Sequence, residues 1–482
     1  MSQRSRKSEP QLDAPSRRRF LGQASCAAVG SASLFSSLFQ LQMANVASAQ
    51  SSGGDGGGED GDDYKALVCL FFAGGIDSYN LLVPCGADEY ADYASMRSDL
   101  ALPQESLAAL NTPLGDGRLL GLHPALTGLA DLVNAGDAAM IANVGTLVEP
   151  ETTLQKYENG TAKLPFGIYS HADQIMQWQT SLPDQRTASG WGGRIADYLQ
   201  AANENPNLSM GISVSGTNVF QTGNVAIPFS TSINGQSERT LYDFKEDDEY
   251  LSQFRTPAIN NMLEAQYQSL FQQSYVNTLR TSIEANELFA QAVGQVNLAT
   301  PFSNAYYSRL FRTIAEVIAA REPLGVSRQT FFVLIGGWDH HDEVIDNMQG
   351  MLTGVNNALM EFWAALNELG VTDQVTTFSA SDFARTLTSN GRGSDHAWGG
   401  NHFVMGGAVN GNQIYGNYPE IRDDNGLNTG RGRLIPTLSC DEYFADLATW
   451  FGVPTSEMPG VLPNLSRFHS GPGAPVGFMN LA

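Results

Sequence analysis

The sequence predicts an α/β fold, a three-layer αβα sandwich on a mostly parallel central sheet. Three observations carry this. Residues 66–72 (ALVCLFF), 330–335 (TFFVLI) and 375–378 (VTTF) are apolar or β-branched runs of the kind found in strands buried on both faces. Helical patterns at 122–135 and 343–369 alternate with such runs, the order of βαβ units. Each of the three runs also leads into a stretch rich in glycine or serine that carries acids or imidazoles, and ligand-binding groups of open α/β sheets gather beyond strand ends.

Residues 1–49 read as an export leader. Ser16-Arg17-Arg18-Arg19-Phe20-Leu21 is a twin-arginine pattern, a mildly apolar segment follows at 24–41, and Ala47-Ser48-Ala49 is a small-residue cleavage site. A basic N-terminal arm is the plainer alternative. The expected partner is the twin-arginine export machinery and the expected location is periplasmic or secreted. Residues 50–63, rich in glycine and aspartate, read as a flexible linker. Residues 64–482 form the expected globular domain, with no membrane span in the mature protein.

The full chain carries a formal net charge of −23, from 27 basic and 50 acidic residues among 482. Such a surface repels nucleic acid and anionic membranes, so nucleic acid is not an expected partner. A small anionic substrate would need local positive charge from a metal or a few arginines. Beyond the leader, Cys69, Cys85 and Cys440 are too widely spaced for a zinc cluster. One Cys85–Cys440 bridge or three buried thiols remain as alternatives.

After the first run, Gly74-Gly75-Ile76-Asp77-Ser78-Tyr79-Asn80 presents Asp77 just past a strand end, as a ligand or a helix cap. Residues 138–144 read as a second strand. His123, before the helix to 135, reads as a helix-entry or core histidine rather than a ligand. Ser170 opens a helix through 179 and is expected to cap it; a metal could also make it a nucleophile. Gly190-Trp191-Gly192-Gly193-Arg194 opens the next helix, with Arg194 facing an anion or solvent. Residues 205–240, polar and weakly alternating, read as short strands and loops, an insertion or cap over the core. Residues 241–297 and 304–321 read as helices, and the former carries no catalytic cluster. His469 reads as a surface residue.

Four of the seven histidines, His340, His341, His396 and His402, fall on two segments that also hold Asp339, Asp382 and Asp395. Acids and histidines also cap helices and brace loops, but their repeated placement at strand ends suits one or two divalent ions. Zinc, manganese or iron fit the mixed donors, and calcium or magnesium a mostly oxygen site. Arg385, three residues past Asp382, could clamp an oxyanion or pair with an acid.

Taken in order, these motifs resemble the exported bacterial family called domain of unknown function 1501, a distant branch of the alkaline phosphatase and sulfatase superfamily. The carriers, besides the stretches from Gly74 and Gly190, are Leu122-His123-Pro124-Ala125-Leu126, Ser170-His171, Gly337-Trp338-Asp339-His340-His341, Ser381-Asp382-Phe383-Ala384-Arg385-Thr386 and Gly393-Ser394-Asp395-His396-Ala397-Trp398-Gly399-Gly400. The resemblance implies an alkaline-phosphatase-like sandwich and a metal-dependent hydrolase of phosphate or sulfate esters. Asp77, Asp339, His341, Asp382, Asp395, His396 and His402 would hold metal, Ser170 would attack, and Arg385 or Arg194 would steady the anion. Asp382-Phe383 stands where the superfamily has an Asp-His pair, which removes one imidazole from the pattern. The alternative from another class is a non-catalytic exported binding or assembly protein, with 205–240 as its binding face.

Overall fold

A computed structural model describes residues 64–233, 250–471 and 473–481. The expected leader (1–49), the linker (50–63) and the end of the expected insertion (234–240) lie outside the described residues. The strands are β1 (Lys65–Ala73), β2 (Leu82–Pro84), β3 (Ala108–Ala109), β4 (Leu120–Leu122), β5 (Ala138–Gly145), β6 (Gly211–Ser213), β7 (Phe229–Ser230), β8 (Arg328–Gly336), β9 (Val375–Ser381), β10 (Gly400–Met405), β11 (Ile414–Gly416) and β12 (Leu438–Ser439). The longer helices are α1 (Ala87–Arg97), α2 (Thr127–Ala135), α3 (His171–Thr180), α4 (Trp191–Leu199), α5 (Ser252–Glu264), α6 (Leu270–Gly294), α7 (Tyr306–Ala319), α8 (Val344–Leu369) and α9 (Cys440–Phe451).

The main sheet runs β11-β5-β10-β9-β1-β8-β6-β7, with β12 beside β5. Only β10 is antiparallel to its neighbours β5 and β9. Strand β1 shows why this is a three-layer fold. Ala66, Val68, Leu70 and Phe72 join one core, beside Leu129 of α2, Leu310 of α7 and Leu352 of α8. Leu67, Cys69 and Phe71 join the other, beside Trp178 of α3, Trp191 of α4 and Phe444 of α9. Because successive side chains point to opposite faces, a fully apolar strand must be covered on both. Among the described residues, no helix is long and apolar enough to cross a membrane.

Three expectations are corrected. The described part of the 205–240 stretch holds the expected short strands, but not as a cap: β6 pairs with β8 and β7 with β6, so they extend the main sheet. The helix expected from 122 starts later, because Leu120–Leu122 pairs with Leu82–Pro84 in a small sheet, and Pro124–Leu126 is a single 3-10 turn before α2. Cys85 and Cys440 form no bridge. Cys85 sits against the small sheet, whereas Cys440 begins α9 inside the second core, and burial raises both thiols.

Strand register decides where the acidic loops emerge. Ala73 pairs with Gly336, and Phe72 with both Ile335 and Ser381, so β8, β1 and β9 end level. Gly74 turns the chain there at φ +121°, and a Cβ on it would stand 2.5 Å from the Asp339 backbone nitrogen. Gly74→Ala is expected to cost about 1–3 kcal/mol from backbone strain alone, read as a lower denaturant midpoint with an unchanged slope.

Buried charge sets a pH dependence. Asp441 of α9 is fully buried and accepts hydrogen bonds from Ser181 Oγ (2.6 Å) and Asn464 Nδ2 (2.7 Å). Burial pushes its carboxyl from 3.8 to about 6 despite these bonds. A raised acid favours the folded state while protonated, so its contribution is complete below the unfolded value and is lost as pH rises through about 6. Thermal melts of Asp441→Asn across that window should show a flatter fall in stability than the parent chain.

Candidate metal centre

The ends of β8 and β9, the start of α3 and the loop before β10 converge on the Asp339 carboxylate. Its Oδ1 lies 3.0 Å from His341 Nε2, 3.2 Å from His396 Nε2 and 2.9 Å from Arg385 Nη1. Its Oδ2 lies 3.5 Å from His171 Nε2. His341 Nε2 and His396 Nε2 are themselves 3.1 Å apart. Asp339 is 44% exposed and His341 47%, so the cluster opens to solvent, while Asp382 behind it is fully buried.

Each imidazole is oriented from behind. His171 Nδ1 is 2.7 Å from Asp382 Oδ2, His396 Nδ1 is 2.8 Å from the Tyr169 carbonyl and His341 Nδ1 is 3.1 Å from Asp395 Oδ1. Carbonyls and ionised carboxylates only accept hydrogen bonds, so each Nδ1 donates and each Nε2 of the neutral ring offers a lone pair. Each of the three lone pairs then faces Asp339, and those of His341 and His396 also face each other, with too few protons among them. Among the described residues, the buried His171 Nε2 has no hydrogen-bond partner. Such a set is stabilised by a shared cation, and imidazoles whose other nitrogen is held by a carboxylate or carbonyl are the usual metal ligands.

The spacing suits this. Around an ion with bonds of about 2.0–2.1 Å in tetrahedral array, donor atoms stand about 3.3 Å apart. One donor atom each from His171, Asp339 and His396 lies within 4.8 Å of the others, and His341 Nε2 borders two of these residues. The nitrogen-rich set fits a borderline ion such as zinc better than calcium or magnesium.

Local electrostatics keep these groups in ligand form. Burial tends to raise Asp339, but the Arg385 hydrogen bond and charge, with His341 and His171, outweigh it and leave the carboxyl lowered. Burial lowers His396, which favours its neutral ring; burial raises Asp382, and there the hydrogen bonds from His171 and Gly74 oppose the rise. Burial also opposes ionisation of Asp395, yet hydrogen bonds from Asn390, Arg431 and His341 bring it down to about 2.

The backbone explains the convergence. Gly74 N–H donates to both Asp382 oxygens, at 3.1 and 3.2 Å, across the level strand ends. Arg385 and His396 pair as an antiparallel bridge, so the β9 exit and the loop before β10 form one short ribbon. Tyr169 sits at φ +72°, a conformation rare outside glycine, and this aims its carbonyl at His396.

The structure thus brings together Asp339, His341, Asp382, Asp395 and His396, with Arg385 against them. It places Asp77, His402 and Arg194 elsewhere. Asp77 is buried in an ion pair with Arg97 of α1, whose guanidinium also reaches Asn80 and the carbonyls of Thr386 and Leu387. That guanidinium already gives the Asp77 carboxylate its positive partner. His402 shares the strand face of Val404, so it points into the second core, with its ring 4.8 Å from Trp178 and its Nδ1 3.4 Å from Ser379 Oγ. Desolvation brings His402 down to about 3. Arg194 is buried, donating to the carbonyls of Val461 (2.8 Å) and Ser189 (2.7 Å). Ser170 caps α3 by position, but its side chain makes no capping hydrogen bond. His340 is buried beside Trp338.

Sequence reasoning missed His171. Its signal was present, an imidazole directly after a serine at a helix start, but it lies far along the chain from the other members. Tyr169, Arg97 and Arg431 carried no signal.

The fold and site together define an α/β protein with a surface His/Asp cluster at the C-terminal ends of parallel strands. The family model described as "Protein of unknown function (DUF1501)" matches residues 64–429, and the chain belongs to that family. No curated protein matches it. Among solved structures it resembles Ps i-CgsB in complex with k-i-k-neocarrahexaose, at 10% identity and TM-score 0.32, over 83% of this chain and 76% of that one. It also resembles the C-terminal periplasmic domain of EcEptC from Escherichia coli in complex with Zn, at 9% identity and TM-score 0.29, over 72% and 74%. A mutant of the alkaline phosphatase PafA matches at 12% identity and TM-score 0.22, over 67% and 63%.

Elemental analysis should find about one divalent ion per chain, lost in His171→Ala and kept in His402→Phe. Asp382→Asn, which changes the carboxylate that holds His171 Nδ1 and accepts from Gly74 N–H, should weaken metal affinity about 10–100-fold.

Proposed function

We propose that the protein is an exported metal-dependent hydrolase of phosphate or sulfate esters, distantly related to the alkaline phosphatases and sulfatases. The observation that carries this is the set of oriented imidazole Nε2 atoms around Asp339, with His171 Nε2 buried and without a hydrogen-bond partner among the described residues. Asp339, His171, His341 and His396 hold the ion, and Asp382 and Asp395 orient two of the imidazoles. A bound divalent ion would polarise an ester oxygen and lower the pKa of a hydroxyl beside it.

Ser170 is the nucleophile in this reading. It adjoins His171, and its hydroxyl is not spent on capping α3. The N–H groups of the first turn of α3 and its positive dipole end favour an anion there. Arg385 positions Asp339 and does not clamp substrate: its donors go to the Gly74 and Ser394 carbonyls, Ser394 Oγ and Asp339. Export through the twin-arginine route, with a periplasmic or secreted location, belongs to the same reading.

The rival reading, a binding protein with a reduced site, draws on the Asp77–Arg97 pair, which leaves ligands for one ion only. A panel of chromogenic phosphate and sulfate esters separates the two. The hydrolase reading expects turnover by metal-loaded protein, about 10³-fold lower or less in Ser170→Ala, with metal content unchanged. Metal-loaded protein without turnover on any ester would favour the rival.

A further inference from the structure

The centre lies on a strongly acidic protein, so an anionic substrate must find positive charge beside it. Most nearby arginines are already committed. Arg385 is buried in its hydrogen bonds. Arg433 donates from Nε to the His396 carbonyl (3.0 Å) and lies over the Tyr169 ring at 5.2 Å. Arg392 is shared between Asp342 and Glu343, at 2.9 and 3.1 Å.

Arg431 is different. Its Nη1 is 2.6 Å from Asp395 Oδ2, and the other Asp395 oxygen holds His341. The side chain is 45% exposed, and its remaining N–H donors make no hydrogen bond among the described residues. Its backbone sits at φ +60°, between Gly430 at +108° and Gly432 at +71°. An arginine there is strained where a third glycine would fit without cost. The turn is also pinned. The Arg431 carbonyl accepts from Thr388 Oγ1 (3.1 Å), and Asn428 Oδ1 accepts from Gly430 N–H and Gly432 N–H, both at 2.9 Å. The fold therefore holds a guanidinium whose other donors are unspent among the described residues, one carboxylate away from His341.

We propose that Arg431 forms an anion subsite beside the metal centre, its free N–H donors taking the non-bridging oxygens of a tetrahedral oxyanion, phosphoryl or sulfuryl. This rests on the hydrolase reading for its substrate class. Guanidinium donors match such oxygens in a paired geometry, so the subsite sets which anion is accepted as well as how tightly.

The test is calorimetric titration of the metal-loaded chain with inorganic phosphate and, separately, with inorganic sulfate. Arg431→Gln should weaken the preferred anion at least about tenfold, and Arg392→Gln should leave it within about twofold. Arg431→Gly is the decisive variant: glycine suits the positive φ, so its melting temperature should hold or rise while anion affinity falls. A purely structural arginine would give the reverse. Equal phosphate and sulfate affinity in the parent chain and both Arg431 variants overturns the subsite and leaves the hydrolase reading standing. Arg431-dependent anion binding without ester turnover supports the subsite and removes the hydrolase reading. Absence of binding by either anion to the parent chain overturns the subsite.

Discussion

The buried guanidinium of Arg385 is the tie on which the centre depends. It joins the Gly74 carbonyl past β1, Asp339 past β8 and the Ser394 carbonyl in the loop before β10. A cation stripped of water needs partners on most of its donors, so these three segments cannot drift apart without exposing it to an apolar interior. The same contact keeps Asp339 ionised against the burial that would raise it. Position and charge state of the central acid therefore come from one side chain.

The fold was largely legible in the sequence. Apolar runs at 66–72 and 330–335, and the run from 375, became the adjacent parallel strands β1, β8 and β9, because a strand covered on both faces has little room for polar residues. The weak alternation of 211–215 marked a short strand, but its place could not be read. Gly211–Ser213 joins the main sheet because β8 offers it an open edge, a tertiary effect invisible in local composition.

The site was half legible. Acids and imidazoles after strand ends could be read from spacing, which is how Asp339, His341, Asp382, Asp395 and His396 came into view. Facing could not be read. His402 is two residues from the mouth of a strand, and the alternation of β10 turns it into the second core. Asp77 was equally well placed, but Arg97 at the end of α1 reaches it, and no local pattern announces a partner twenty residues on. His171 and the Tyr169 carbonyl come from a loop and helix start distant from the strand ends they serve.

The donors around Asp339 come from segments more than two hundred residues apart, from the start of α3 to the loop before β10. Neither half of the polypeptide can assemble this cluster alone, so an ion held there would be captured only once both halves have come together. Affinity rankings among transition ions differ little from one nitrogen-rich cluster to another. The choice of ion would then be delegated to whichever compartment hosts that closing step, and the identity of a bound metal would be a record of where the molecule finished folding.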